Sequence, residues 1–348
     1  MLTEFIDLRS DTVTLPTDEM LEAIKYAKLG DDVYGEDATV NQLQEMAAKI
    51  TGKEAALLVP SGTQANLVSL MSNCKRGELV LLESESHIYW YEVGGVSTIA
   101  NLLPWPIKTA TGAFDPLELE VSIRPKNIHF PEPSLVCIEN THNRHGGTIL
   151  NPDKTKNISE IAKAHSLKLY MDGARIFNAA IGLGVDVKDF TKHVDNLMFC
   201  LSKSLCCPIG SIIVGKQDFI ERARKNRKLL GGGMRQAGII AAPGIVALEK
   251  MINRLKEDHE NAKFIAEKIS KFDGIRIDLE NVQTNIVSFN LDEKIIDVLF
   301  LKKLKEKGIL ALAQSKNKIR FVTHFGITRA DAETVVDEIG SILKDQIS

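Results

Sequence analysis

Three groups of residues in this 348-residue chain stand where apolar runs end, and each could act on an anion, a ring or a carbonyl. Pro60-Ser61-Gly62-Thr63-Gln64 follows the run 55–59 and precedes a helical pattern over 64–73. The free N–H groups of a helix's first turn, its positive dipole end and the Thr63 hydroxyl form an anion site, although helix capping alone also favours Ser and Thr there. Asp172 closes the run 167–172 and precedes Gly173-Ala174-Arg175. A carboxylate at the carboxyl end of a sheet strand faces the crevice where open α/β sheets bind ligands; an Asp that merely opens a loop is the plainer alternative. Lys203, in Phe199-Cys200-Leu201-Ser202-Lys203-Ser204, lies just past another apolar run. Lost hydration there would favour a nucleophilic amine, whereas most lysines keep their ammonium in water. The three groups together suit one cofactor. Pyridoxal phosphate needs an anion site for its phosphate, a carboxylate to keep its ring nitrogen protonated, and a lysine to hold its aldehyde as a Schiff base.

The elements that must position these groups follow from the apolar pattern. Runs at 55–59, 79–82, 135–139, 167–172, 196–201 and 209–214 alternate with helical or loop segments. Near-continuous apolar runs mark strands covered on both faces, so an α/β fold is expected, with a mostly parallel sheet and helices on both sides. After Gly244 the texture changes to a charge-rich amphipathic stretch, 245–271. Weaker strands at 285–291 and 318–323 then interleave with helical patterns at 295–307 and 329–344. The expected organisation is a large domain with an N-terminal arm over 1–250 and a smaller C-terminal α+β domain over 251–348.

Composition narrows the function further. Lys+Arg 43 against Asp+Glu 46 gives a net charge of -3, with 44% hydrophobic residues, which argues against a nucleic-acid or anionic-membrane binder. No run approaches the ~20 apolar residues of a membrane helix. The first residues, with Glu4, Asp7 and Asp11, lack the basic and apolar pattern of a signal peptide. Five cysteines without a C-x-x-C pair suit a reducing compartment, so a cytoplasmic location is expected. Gly210 to Gln217 nearly fits a phosphate loop, but Gln217 replaces the Ser or Thr that would bind Mg²⁺. His142 and His145, with His129 nearby in sequence, have no helix to present them to a metal, and none is expected. No G-x-G-x-x-G follows any of these strands, which removes the main support for a dinucleotide-binding oxidoreductase.

Longer blocks carry a resemblance. Ile6-Asp7-Leu8-Arg9-Ser10-Asp11-Thr12-Val13-Thr14, Gly30-Asp31-Asp32-Val33-Tyr34-Gly35, Glu139-Asn140-Thr141-His142-Asn143, Met171-Asp172-Gly173-Ala174-Arg175 and Gly231-Gly232-Gly233-Met234-Arg235-Gln236 occur in one order. Together they resemble the low-specificity L-threonine aldolases of the β-eliminating lyase/threonine aldolase family, from residue 6 to about residue 325. The resemblance implies a fold-type I pyridoxal-phosphate enzyme, a homotetramer built from dimers whose active sites lie at the subunit interface. It makes Lys203 the Schiff-base lysine and Asp172 the partner of the ring nitrogen. It places Gly62, Thr63, Ser202 and Arg235 on the phosphate, with Arg235 reaching across the interface, and counts Arg175 with the cofactor pocket. His87 would stack on the ring, and His129 would lie near the substrate hydroxyl. Ser10, Arg175 and Arg320 would hold the substrate carboxylate. The implied reaction is cleavage of L-threonine or L-allo-threonine to glycine and acetaldehyde, with His87 or His129 as base. Another lyase reaction or a racemisation on the same cofactor is the alternative. One departure stands out: the family commonly has Gly-Leu-Gly, a small residue and Pro after the lysine, whereas this chain has Ser204-Leu205-Cys206-Cys207-Pro208, whose bulk would crowd the loop.

Overall fold

The computed structural model describes residues 5–347. Its central sheet contains β1 (Ala55–Val59), β2 (Leu79–Glu83), β3 (Leu103–Ile107), β4 (Pro133–Glu139), β5 (Lys168–Asp172), β6 (Asn196–Cys200) and β7 (Ser211–Gly215), in the order 1-7-6-5-4-2-3. Strands β3, β2, β4, β5 and β6 pair in parallel, while β7 runs antiparallel to both β6 and β1. The apolar runs are continuous because the sheet is covered twice. Leu58, Leu197 and Phe199 enter one buried cluster, and Leu57, Met198 and Cys200 enter the other.

Two features escaped the apolar pattern for physical reasons. Strand β3 has the sequence Leu-Pro-Trp-Pro-Ile and lies at the sheet edge, where the missing N–H donors of Pro104 and Pro106 are tolerated. The direction of β7 follows from chain length. A parallel crossover needs a dozen or more residues, and only 201–210 separates β6 from β7, so the chain must turn back. That short loop carries Ser202 and Lys203.

The smaller sheet is antiparallel, with β8 (Ile275–Arg276), β9 (Ile286–Leu291), β10 (Leu312–Ser315) and β11 (Lys318–Val322) in the order 10-11-9-8. Phe289 and Phe321 from this sheet share a core with Ile265 of the helix Ile252–Ile269 and Ile339 of the helix Arg329–Ile347. The N-terminal arm belongs structurally to this half. Ile6–Asp7 pairs in parallel with Ile309–Leu310, and Leu8 is buried in the same core. A continuous helical stretch, Gly238–Val246, Ala247–Met251 and Ile252–Ile269, links the halves, the core changing from one cluster to the other between Leu255 and Ala262. Among the described residues, no helix is long and apolar enough to cross a membrane.

Candidate active site

The carboxyl ends of the parallel strands converge on a cleft of about 290 Å³ between the sheet and the smaller half. Lys203 lines it, one turn of loop beyond β6. The loop is pinned through the lysine's own carbonyl, which accepts from Thr14 Oγ1 at 2.9 Å and from Cys206 N at 2.9 Å. The amine has no hydrogen-bond or ion-pair partner among the described residues. The bulk expected to crowd this loop is absorbed: Cys206 and Cys207 are both buried, and Cys206 takes a left-handed φ of 65°. Burial pushes the Cys206 thiol up to about 12, which leaves it inert as a nucleophile.

Asp172, buried at the end of β5, accepts from Asn66 Nδ2 at 2.8 Å and from Ala174 N at 3.1 Å. Beyond β1, Ser61 caps the helix Gly62–Asn73 by accepting from Gln64 N at 3.1 Å. The N–H groups of Gly62 and Thr63 have no protein partner among the described residues, as first-turn donors lack one within a helix. A Cβ on Gly62 would stand 3.0 Å from Cys200 Sγ, so glycine lets the helix start close against β6. Ser202 leads into Lys203 on the neighbouring loop. Anion site, carboxylate and lysine thus lie along one edge of one sheet.

The cleft is cationic. Arg175 is buried and gives Nε and NH2 to Asp11 at 2.7 and 2.6 Å, while its NH1 has no hydrogen-bond partner among the described residues. Burial would raise the Asp11 carboxyl, but the Arg175 guanidinium overrides it and holds the group far below the usual carboxylate range. Ser204 Oγ also donates to Asp11, at 2.8 Å. Arg320 comes from β11, and its hydrogen-bond partners among the described residues are both neutral, Asn143 Oδ1 at 2.7 Å and the Arg9 carbonyl at 2.9 Å. Burial and the charge of Arg175 lower its hold on its proton, so this cation is better stabilised by an anion. Ser10 lines the same cleft and accepts from Thr12 N at 3.2 Å. Arg144 joins the halves, its NH1 donating to the Gln314 carbonyl at 2.6 Å and Gln314 Nε2 donating back to the Arg144 carbonyl at 2.7 Å.

His87 lines the cleft, and its Nδ1 lies 2.8 Å from Glu92 Oε1. The titratable atoms of His87, Glu92 and Asp172 all lie within 4.8 Å of one another. Burial alone would pull His87 down; the bond to Glu92 and the charges of Asp172, Glu92 and Glu139 leave it raised.

Of the expected residues, Ser10, His87, Arg175, Lys203 and Arg320 line this cleft; Gly62, Thr63, Asp172 and Ser202 stand along the same sheet edge without lining it, and Arg235 and His129 lie apart from both within one chain. Arg235 is exposed, paired with Asp31 Oδ2 at 3.0 Å. His129 is exposed and precedes β4, at the opposite edge of the sheet from Asp172. Sequence reasoning also missed Asp11, Asn66, Glu92 and Tyr91. Asp11 was visible inside the arm block Ile6 to Thr14, but only folding shows that the arm delivers it to Arg175. His142 and His145 do meet, at Glu83: His142 Nε2 lies 3.0 Å and His145 Nε2 3.5 Å from its carboxylate oxygens.

Fold and site together define a class: a fold-type I α/β enzyme with a lysine on the loop after a central strand, a carboxylate at a strand end and a helix start open to an anion. The chain belongs to the beta-eliminating lyase family, which matches residues 7–292. Low-specificity L-threonine aldolase 1 of Arabidopsis thaliana is 45% identical over 95% of this chain and 94% of its own length. The low specificity L-threonine aldolase of Escherichia coli strain K12 is 43% identical over 93% and 95%. Leishmania major threonine aldolase superposes with a TM-score of 0.85 at 18% identity, covering 97% of this chain and 99% of that one. Sphingomonas wittichii serine palmitoyltransferase gives 0.78 at 16% identity over 98% and 88%. At such identities the two structures speak for the fold alone.

Proposed function

We propose that this protein is a pyridoxal-phosphate-dependent aldolase that cleaves L-threonine or L-allo-threonine to glycine and acetaldehyde. The observation that carries the reading is the unpartnered Lys203 amine in the cleft, on the same sheet edge as the buried Asp172 carboxylate and the open first turn at Gly62 and Thr63. The residues fit the cofactor. Lys203 would hold its aldehyde, Asp172 its ring nitrogen, and Gly62, Thr63 and Ser202 its phosphate, with His87 against the ring. When bound, pyridoxal phosphate supplies an electron sink next to the amino acid's Cα.

The chain's own groups do the rest. Arg320 and the free NH1 of Arg175, with Ser10, suit a carboxylate, because guanidinium donors match two oxygens at once. A substrate fixed there presents its β-hydroxyl to a base. His87 is the imidazole that this chain brings to the cleft, and a neutral imidazole is suited to accept that proton. His129 remains the second choice, contributed by another copy.

The proposed working unit is a homotetramer built from two dimers, with sites at the dimer interface. Arg235 and His129 are exposed in one chain, and Leu29, Val33, Tyr34 and Ile239 are exposed apolar side chains on the segments carrying Arg235 and its partner Asp31. All five cysteines are free, which fits the cytoplasmic location expected from their spacing.

The test is acetaldehyde release from each threonine diastereomer by protein loaded with pyridoxal phosphate, beside Lys203→Ala. Release by the wild type and none above background from the variant is the expected result. Cofactor absorbance without release, or equal release by the variant, would overturn the reading.

A further inference from the structure

Glu92 is buried and makes two side-chain contacts that bear on the site. Its Oε1 lies 2.8 Å from His87 Nδ1 and accepts from Asn66 Nδ2 at 2.6 Å. Asn66 has no freedom to choose another orientation. Its Oδ1 accepts from the buried Tyr170 hydroxyl at 2.7 Å, so its amide nitrogen must face the carboxylates, and it donates to Asp172 Oδ2 at 2.8 Å as well. One amide thus ties Glu92 to Asp172. With Nδ1 of His87 held by Glu92 and the ring lining the cleft, the nitrogen left for a ligand is Nε2.

We infer that Glu92 is a positioning residue of this site, holding His87 in the tautomer that carries hydrogen on Nδ1 and presents an unprotonated Nε2 to the substrate hydroxyl. This rests on the aldolase reading above and names the residue that makes its base competent. A carboxylate on one imidazole nitrogen fixes both the ring's angle and which nitrogen is basic, and it stabilises the imidazolium that forms when the other nitrogen takes a proton. The remaining charged and titratable groups facing His87 are Tyr91 on its own segment, Glu139 on β4, whose Oε2 accepts from His87 N at 2.7 Å, and Asp172 on β5. Lys203 and Arg175 share the cleft. Asp172 would be engaged by the cofactor ring, and Glu139 is occupied by backbone N–H groups of His87 and Asn143, so Glu92 is the carboxylate available to Nδ1. Its own carboxyl is raised by burial, reinforced by the charge of Asp172, and the bonds from His87 and Asn66 oppose that rise.

The test uses holoenzyme carrying Glu92→Gln, which keeps an acceptor but removes the charge, Glu92→Ala, which removes both, and Glu92→Asp. The base works when deprotonated, so the rate rises with pH through the titration of His87. Loss of the negative charge makes the imidazole less basic. Glu92→Gln is therefore expected to move the acidic limb of the kcat profile down by about one pH unit. Glu92→Ala is expected to lower kcat by ~10- to 100-fold with KM nearly unchanged, since the carboxylate contacts at Arg320 are untouched, and Glu92→Asp to restore part of it. A second readout does not depend on turnover. Diethylpyrocarbonate modifies neutral imidazole, and the pH midpoint of its reaction at the His87 peptide, followed by mass spectrometry, should fall in Glu92→Gln. Unchanged limb, plateau and midpoint in both Gln and Ala variants would overturn the inference and leave Glu92 a packing residue. If His87→Asn keeps wild-type turnover, the base assignment fails instead, and the Glu92 pairing is decided by the modification midpoint alone.

Discussion

Arg175 keeps its guanidinium buried because Asp11 takes two of its nitrogens, and that division leaves the third for the cleft. Removing the Asp11 charge strands a buried cation, so Asp11→Asn is expected to cost ~3–5 kcal/mol. For a chain of this size, with an unfolding entropy of about 2.1 cal/mol/K per residue, that is a fall in melting temperature of roughly 4–7 °C, measurable by thermal unfolding. KM for threonine should rise as well, because Arg175 loses its fixed orientation. The pH dependence has a definite sign. The folded carboxyl lies below its ordinary 3.8, so the pair's contribution is complete above that value and is lost as pH falls through the lower, folded one. Wild-type stability should therefore decline on acidification below about pH 4, and Asp11→Asn should decline less steeply over the same range. Equal slopes would show that the pair carries no net stability. Residue types and spacing pointed to Asp172, Lys203 and the Gly62-Thr63 turn because each sits where an apolar run stops. They could not point to Asp11, Asn66 or Glu92, which act through neighbours distant in sequence.

At the scale of the element, the loop 201–210 decides how Lys203 is presented. Its turn is closed by Cys206 N donating to the Lys203 carbonyl, with Cys206 at a φ that glycine adopts without a Cβ penalty. Cys206→Val places a β-branched side chain at that φ and is expected to cost ~1–3 kcal/mol while loosening the lysine. Cys206→Gly relieves the backbone but gives up a buried thiol. The expected outcome is weaker cofactor affinity in Cys206→Val, with affinity in Cys206→Gly close to wild type, read by titrating cofactor absorbance in each. Equal affinity in all three chains would show that the turn does not govern the lysine. The strands that position the site were legible because burial on both faces demands continuous apolar runs. Edge strand β3 was not, since an edge needs neither continuous burial nor every N–H, and its two prolines read as loop.

At the scale of the whole molecule, the cleft needs both halves of the chain, and on the proposed reading it needs two chains. Arg320 from β11 and Gln314 from β10 reach Asn143 and Arg144 of the large half, so the smaller sheet forms one wall of the cleft. Arg235 is exposed within its own chain, paired with Asp31, and does not line the cleft. If it serves a partner's phosphate site, chains carrying Lys203→Ala and Arg235→Ala, each defective alone, should complement each other when co-expressed. Half of randomly assembled dimers are hybrids with one intact site of two, so activity should recover to about a quarter of wild type. No recovery in dimers shown by mass to be hybrid would place Arg235 outside the neighbouring site.

The chemistry-bearing residues, the parallel-sheet class and the charge balance were determined by the sequence itself, because each is a property of local pattern: apolar continuity, helix starts and residue type at run ends. The tertiary structure decided what local pattern cannot encode. It turned β7 back against β6, carried the N-terminal arm onto the smaller sheet so that Asp11 meets Arg175, gathered His87, Glu92 and Asp172 within 4.8 Å, and left Arg235 and His129 facing outward. Those are choices of packing between segments far apart in the chain, settled by which apolar faces bury one another and which buried charges find a partner.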